Sequence, residues 1–293
     1  MDFSYYQKVT NDPAARIEKY VEMVNGYYRM VTPLYREGWG DSFNFPPFAG
    51  VESLDEATAA QERGIADEGG FRRGWQVLDV GCGVGRPTVT IAARSGAAMT
   101  GINIAPGQLP IARKLAAERG LAESVRFVRG DAMNMPFMPA AFDAAYSIQS
   151  ICHTPDKPAA YEEIARVVKP AGVFLGNDWL CRDGITRDEY AEYIEPICRS
   201  WALPYLISPA QLAGQLEQVG FRVTAIGDVA ERGDMARNWE MFEAKARSLA
   251  GRPRQSPAVR LMRESIEAVA RAARAGFFLV GYWHAVKAAG TAA

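Results

Sequence analysis

Histidine is nearly absent from this chain: His153 and His284 are the 2 in 293 residues. The 4 cysteines, Cys82, Cys152, Cys181 and Cys198, form no CxxC pair, so neither a disulfide framework nor a zinc site is suggested, and no metal is expected. An excess of either charge is missing too, since 33 Lys and Arg against 34 Asp and Glu leave a net charge of −1. That removes the broad attraction to phosphate backbones or anionic lipid carried by nucleic-acid and membrane-surface proteins. No apolar run reaches the roughly 18 residues of a membrane span, and the longest, Phe277 to Val286, has the length of a strand. The N-terminus, MDFSYYQKVTNDP, carries aromatic and acidic residues where a signal peptide needs a basic start and an apolar stretch. What is present is ordinary globular composition, 48 % hydrophobic and 23 % charged, enough for a sizeable core. A reduced, cytoplasmic protein handling a small molecule is the expectation, with no nucleic-acid partner and no stable membrane insertion.

Two regions stand apart in pattern. From Asp12 a helix is expected, with Asp12 as N-cap, Pro13 at the first helical position and Ile17, Val21, Val24 and Tyr28 at helical spacing. The aromatic segment TPLYREGWGDSFNFPPF, residues 32–48, reads as irregular, and a second helix is expected from Ser53 to Arg63. Residues 1–70 thus form a helical N-terminal cap. Beyond residue 75 short β-rich runs alternate with helical stretches, the pattern of a parallel sheet with crossover helices. The expected strands are Gln76–Val80, Ala98–Ile102, Val125–Val128, Phe142–Ile148, Val173–Trp179, Phe221–Ile226 and the run Phe277–Val286. A helix from about Pro158 to Val168 should close at Lys169-Pro170-Ala171-Gly172, and another should end at Gly220. About 230–275 reads as a helical, Arg-rich insertion before the last strand, too long for a plain loop. The fold class is therefore α/β, with residues 71–293 as one Rossmann-like domain. Two apolar-striped attachments, cap and insertion, suggest a homo-oligomer, the alternative being that both fold back as a lid on their own subunit.

The most informative stretch is Val77-Leu78-Asp79-Val80-Gly81-Cys82-Gly83-Val84-Gly85, a buried strand running into a Gly-rich turn and then a helix. Glycines there let the backbone turn tightly and approach a ligand with no Cβ in the way. A dinucleotide fingerprint would read G-x-G-x-x-G. Here the third Gly comes one residue early and Asp79 precedes the turn, which disfavours pyrophosphate and suits a nucleoside with a cationic end.

DVGCGVG resembles motif I of class I S-adenosylmethionine (SAM) methyltransferases, and the later segments fall where that family puts them. The resemblance implies SAM as cofactor, with Asp79, Gly81 and Gly83 at the turn and Asn103, with Ile104 and Gln108 after it, at the ribose. It places Asp131 and Ala132 at the adenine and Gln149, in the run Tyr146-Ser147-Ile148-Gln149, beside the methyl group. A finer resemblance lies outside the cofactor core. Tyr27-Tyr28-Arg29-Met30-Val31-Thr32 with Gly38-Trp39-Gly40-Asp41-Ser42-Phe43, then Ile151-Cys152-His153-Thr154-Pro155 and Asn177-Asp178-Trp179, look like sterol C-methyltransferases and their prenyl- and tocopherol-methylating relatives. From these segments Tyr28, Trp39 and Ser42 join the cofactor-binding set. The implied function is C-methylation of an isoprenoid or terpenoid-type small molecule in specialised metabolism, with rearrangement or cyclisation of the product as an option. N- or O-methylation of another natural product on the same fold is the alternative.

Methylation of an alkene leaves a carbocation, which aromatic faces can stabilise and a base must resolve by removing a proton. Tyr5, Tyr6, Tyr27, Tyr28, Trp39 and Phe43 from the cap, with Trp179 and Trp201, are the rings available. The family's glutamate is Gln149 here, which cannot serve as base. Tyr28, Gln149, His153 and Asp178 are the catalytic candidates, with His153 and Asp178 as the bases. Were the acceptor a diphosphate, the arginines of 252–274 would be its partners.

Overall fold

The computed structural model describes residues 3–50, 53–250 and 256–289, apart from the side chains of 38, 39, 249 and 250. Chain order is α1 (Phe3–Thr10), α2 (Pro13–Glu18), α3 (Tyr20–Trp39), α4 (Leu54–Glu68), β1 (Gln76–Val80), α5 (Arg86–Ser95), β2 (Ala98–Asn103), α6 (Leu109–Glu118), β3 (Val125–Arg129), β4 (Phe142–Ile148), α7 (Lys157–Val167) and β5 (Val168–Cys181). There follow α8 (Arg187–Glu189), a π-helical turn Tyr190–Ile194, α9 (Glu195–Ser200), α10 (Pro209–Gln218), β6 (Phe221–Asp228), α11 (Ala236–Ala250), α12 (Pro257–Arg274) and β7 (Phe278–Lys287).

The strands form one seven-stranded sheet in the order β3-β2-β1-β4-β5-β7-β6, parallel from β3 to β5, with β7 antiparallel to both its neighbours. This is the Rossmann-like sheet with helical cap and helical insertion that the sequence predicts. Apolar residues of α5 and α6 cover one face and those of α7 and α10 the other. Ile65 and Ala66 of α4 join the first of these layers.

Above the carboxyl ends of the parallel strands, a third apolar cluster joins α1 and α3 to α9, α11, α12 and the ends of β5 and β7. Val24, Tyr27, Val31 and Tyr35 carry α3 into it. Each such buried side chain stabilises the docking by roughly 1.5–3 kcal/mol. The expected stripe differs here. Lys19 leaves the helical conformation (φ −109°, ψ 24°) between α2 and α3, and the change of direction turns Ile17 and Val21 out to solvent while Tyr20 and Met23 go inward. The segment expected to be irregular is helical as far as Trp39, with Pro33 inside the helix. Proline costs a backbone bond there, and burial of the flanking Val31 and Tyr35 offsets it. The expected Lys169–Gly172 turn lies inside β5, because Val168 already pairs with Phe142 across an irregular stretch that places Ala171 at φ 60°.

Candidate active site

The loops after β1, β2, β3 and β4 converge under α3 on a cleft of about 930 Å³, mouth included. This is where open α/β sheets bind ligands. Gly81 has φ 87°, and a Cβ there would lie 2.2 Å from Ser150 Oγ. Gly83, at φ 53°, meets nothing within 4 Å, so that side of the turn is open for a ligand to lie against backbone.

Gly81, Gly83, Asn103, Ile104, Gln108, Asp131 and Ala132 line the cleft together with Tyr28, Ser42, Gln149 and His153. One of the expected residues differs. Asp79 does not line it: it is buried, and its Oδ2 accepts from Thr88 Oγ1 at 2.6 Å and Tyr146 OH at 2.7 Å. Burial raises its carboxyl to about 6 against the pull of those two hydroxyls. Asp79 thus braces the glycine turn from beneath. Trp39 ends α3, and its side chain lies outside the described residues.

Asn103 donates to Gly83 O at 3.1 Å and Gln108 Oε1 at 2.9 Å and accepts from Ala105 N. Gln108 in turn donates to Thr32 Oγ1 at 3.1 Å, so an amide chain ties the end of β2 to the cap. Ser42 donates to Glu62 Oε1 at 2.7 Å, and Glu62 lies 3.6 Å from Arg86. Asp131 accepts from Tyr20 OH and from Met133 N.

On the far side, Tyr28 OH and His153 Nε2 are 2.9 Å apart and His153 Nδ1 is 3.1 Å from Ala202 O. A carbonyl can only accept, so Nδ1 carries the hydrogen and the Nε2 lone pair receives the Tyr28 hydroxyl. Burial pushes the His153 pKa down to about 4, with Lys157 adding to the fall, so the imidazole is neutral at neutral pH.

A methyltransferase-domain profile matches residues 78–176, which span β1 to β5 and the whole cleft floor. The 24-methylenesterol C-methyltransferase 2 of Oryza sativa subsp. japonica is 39 % identical over 225 residues, 76 % of this chain and 62 % of its own length. The chain therefore covers less than two thirds of that relative. The 4+2 cyclase SpnF superposes with a TM-score of 0.77 at 28 % identity over 92 % of this chain and 96 % of its own. Geranyl diphosphate C-methyltransferase from Streptomyces coelicolor A3(2), solved with Mg2+, geranyl diphosphate and S-adenosyl-L-homocysteine, shares the fold at a TM-score of 0.70 and 17 % identity over 92 % and 98 % of the two chains. Residues 78–176 match a methyltransferase domain, and the chain is similar to sterol C-methyltransferases over about three quarters of its length.

In this methyltransferase domain Gln149 directly follows β4. It lines the cleft, yet every hydrogen-bonding position of its amide is taken. Oε1 accepts from Phe45 N at 3.0 Å and Trp179 Nε1 at 2.8 Å, while Nε2 donates to Phe45 O at 3.2 Å and Asn177 Oδ1 at 3.0 Å. Gln149 latches the cap loop to the sheet. Asp178 is not in the cleft either: its two oxygens accept from Cys152 N and Trp179 N behind the His153 turn. The described arginines of 252–274 lie away from the cleft, with Arg263, Arg271 and Arg274 paired to Glu267, Glu192 and Glu243; Arg252 and Arg254 fall outside the described residues.

Sequence reasoning missed Tyr20, Thr32 and Glu62, whose roles rest on partners far along the chain. It also missed the second void of about 250 Å³ beside the cleft, lined by Tyr35, Phe43, Phe45, Trp201 and Phe242. Phe43 lines both spaces. Among the described residues no helix is long and apolar enough to cross a membrane.

Proposed function

We propose that this protein is a SAM-dependent C-methyltransferase whose acceptor is an uncharged, apolar molecule of isoprenoid type. The observation that carries the reading is the lining of the acceptor side. Five aromatic side chains surround the smaller void, and no lysine or arginine lines either it or the cleft among the described residues. A diphosphate would need cationic partners there. The geranyl diphosphate enzyme binds such a substrate on the same fold; here the lining favours a neutral hydrocarbon.

Bound SAM supplies a methyl group already activated on a sulfonium. The cleft fits it: the open side of Gly83 admits the ligand against backbone, and Asn103 Oδ1 keeps a lone pair for a ribose hydroxyl beyond the Ala105 N–H it accepts. Asp131, once Tyr20 yields, accepts from the adenine amine, with Ile104 and Ala132 along the base. The cap excludes water, and the rings of the smaller void face any cation formed on the acceptor. When an alkene carbon takes the methyl, the neighbouring carbon becomes cationic. Tyr28 oxygen then accepts a proton from an adjacent carbon as its own proton passes to His153 Nε2, and the C–H electrons close a new double bond.

Labelled-methyl transfer from SAM, measured over sterols, prenylated aromatics and prenyl diphosphates with and without EDTA, tests the reading. Transfer to a neutral acceptor that survives the chelator is expected, and His153→Ala should lower kcat by about 10²–10⁴. Transfer confined to diphosphates, or to amine and hydroxyl acceptors, would overturn it.

A further inference from the structure

The turn that carries His153 rests on a buried cation that plays no direct part in the transfer. Lys157 is 1 % exposed. Its ammonium donates to Cys152 O at 3.3 Å, Thr154 O at 3.1 Å and Tyr205 O at 3.0 Å, and it lies 3.9 Å from the centroid of the Tyr205 ring. Two of those carbonyls belong to the residues on either side of His153. Three N–H groups meet three acceptors, so only the charged form satisfies the site. From the other side Asp178 Oδ2 accepts from Cys152 N at 2.9 Å. The turn is thus held through the N–H and C=O of one residue and the C=O of the next but one.

Burying a charge costs several kcal/mol, and the helix start does not require it. Asp156 already caps α7 by accepting from Ala159 N at 3.0 Å. The titratable groups around the imidazole are Tyr27 and Tyr28 from α3, Cys152 on the turn itself, Lys157 from α7 and Asp178 from β5. Lys157 is the cation among them.

We propose that Lys157 is a positioning residue for the proton acceptor: it clamps the carbonyls of Cys152 and Thr154 on either side of His153 and so holds the imidazole with Nε2 turned to Tyr28. This rests on the reading of Tyr28 and His153 as the route for the proton. Burial lowers the Lys157 pKa to about 8, resisted by Cys152, Asp178, Cys198 and Cys181, which with Tyr205 are the titratable groups facing it, so the clamp discharges within an accessible pH range.

The chain has 2 histidines, so His284→Gln leaves a single imidazole to follow by proton NMR, with no methyl acceptor needed. In that background the His153 resonances should stay flat from pH 5 to 7 and show a step near pH 8 as Lys157 loses its proton. Adding Lys157→Met should abolish the step and let the His153 pKa rise. It should also cut kcat at least tenfold while SAM affinity stays within about twofold; Lys157→Arg, which keeps the charge, should leave His153 low. A folded Lys157→Met protein with unchanged His153 titration overturns the proposal. If that variant does not fold, a flat His153 signal through pH 8 in the parent overturns it. Failure of methyl transfer in the unaltered protein would instead strike the function reading and leave the NMR result standing.

Discussion

Gln149 has φ 49°, a left-handed conformation uncommon for a residue with a side chain, and its amide makes two bonds as acceptor and two as donor. A glutamate at this position can accept from Phe45 N and Trp179 Nε1 but turns a second oxygen toward Phe45 O and Asn177 Oδ1, which cannot donate to it. Gln149→Glu should therefore destabilise the protein by about 1–3 kcal/mol at neutral pH. Its carboxyl would have a raised folded-state pKa, so the deficit should shrink as pH falls and protonation restores one donor; thermal melts at two pH values read this. His153 acts in the opposite sense. With a folded pKa of about 4 against an ordinary 6.5, the unfolded chain binds its proton first. Stability is complete above about pH 6.5 and is lost as pH falls toward 4, by roughly 3 kcal/mol at most. His153→Gln should flatten that part of the stability curve in denaturant titrations at stepped pH.

At the level of elements, the cap is held by short polar links set into an apolar interface. The chain Asn103–Gln108–Thr32 joins β2 to α3, Ser42–Glu62 joins the loop after α3 to α4, and Gln149 joins Phe45 to β4 and β5. All three links border the cleft. Gln108→Ala severs the first and leaves Asn103 free to turn from the ribose position, so SAM affinity measured by calorimetry should fall about tenfold, while the folded core, which Gln108 does not enter, should melt within a few degrees of the parent. The rings of the smaller void close on one another and leave almost no free space between them. An acceptor of isoprenoid size can enter only if α3, α11 or the loop between Asp41 and Phe48 moves outward.

Over the whole molecule, the apolar stripes of cap and insertion are spent on each other. Tyr6, Val24 and Val31 from one side and Trp239, Phe242, Leu261 and Val269 from the other share a single cluster, and Arg16, 1 % exposed, pairs with Glu195 across the same seam at 2.8 Å. A homo-oligomer would have to use another surface. Ile17, Val21, Met138 and Met241 are the large hydrophobic residues left exposed among those described, scattered over the cap, the β3–β4 loop and α11. Light scattering should therefore report a monomer at micromolar concentration, and a stable dimer there would show that a surface of another kind is at work.

Much of the sheet was determined by sequence alone. The starts of β1, β2, β3, β4 and β6 and the ends of β1 and β4 follow from runs of apolar residues bounded by glycine and polar turns, while β5 starts five residues before the expected Val173; the cleft residues Gly81 and Gly83 follow from the Gly-rich turn, and Asn103, Asp131 and Ala132 from the resemblance to methyltransferase motifs. These are local properties, set within a few residues of each position. What tertiary structure decided is which side chain answers which. Asp79, two residues before the first glycine of the turn, faces Thr88 and Tyr146 and not the ligand space. Asp178, two residues from β5's pairing with Ser147 at Gly176, ends behind the turn and not in front of it. Tyr28 meets His153 from 125 positions away, and Lys157 reaches Tyr205 O across 48. Chain-local preference carries no information over such separations. Those contacts exist because the cap, the sheet and the insertion pack around one apolar cluster, and the polar groups caught between them take the partners that the packing brings within reach.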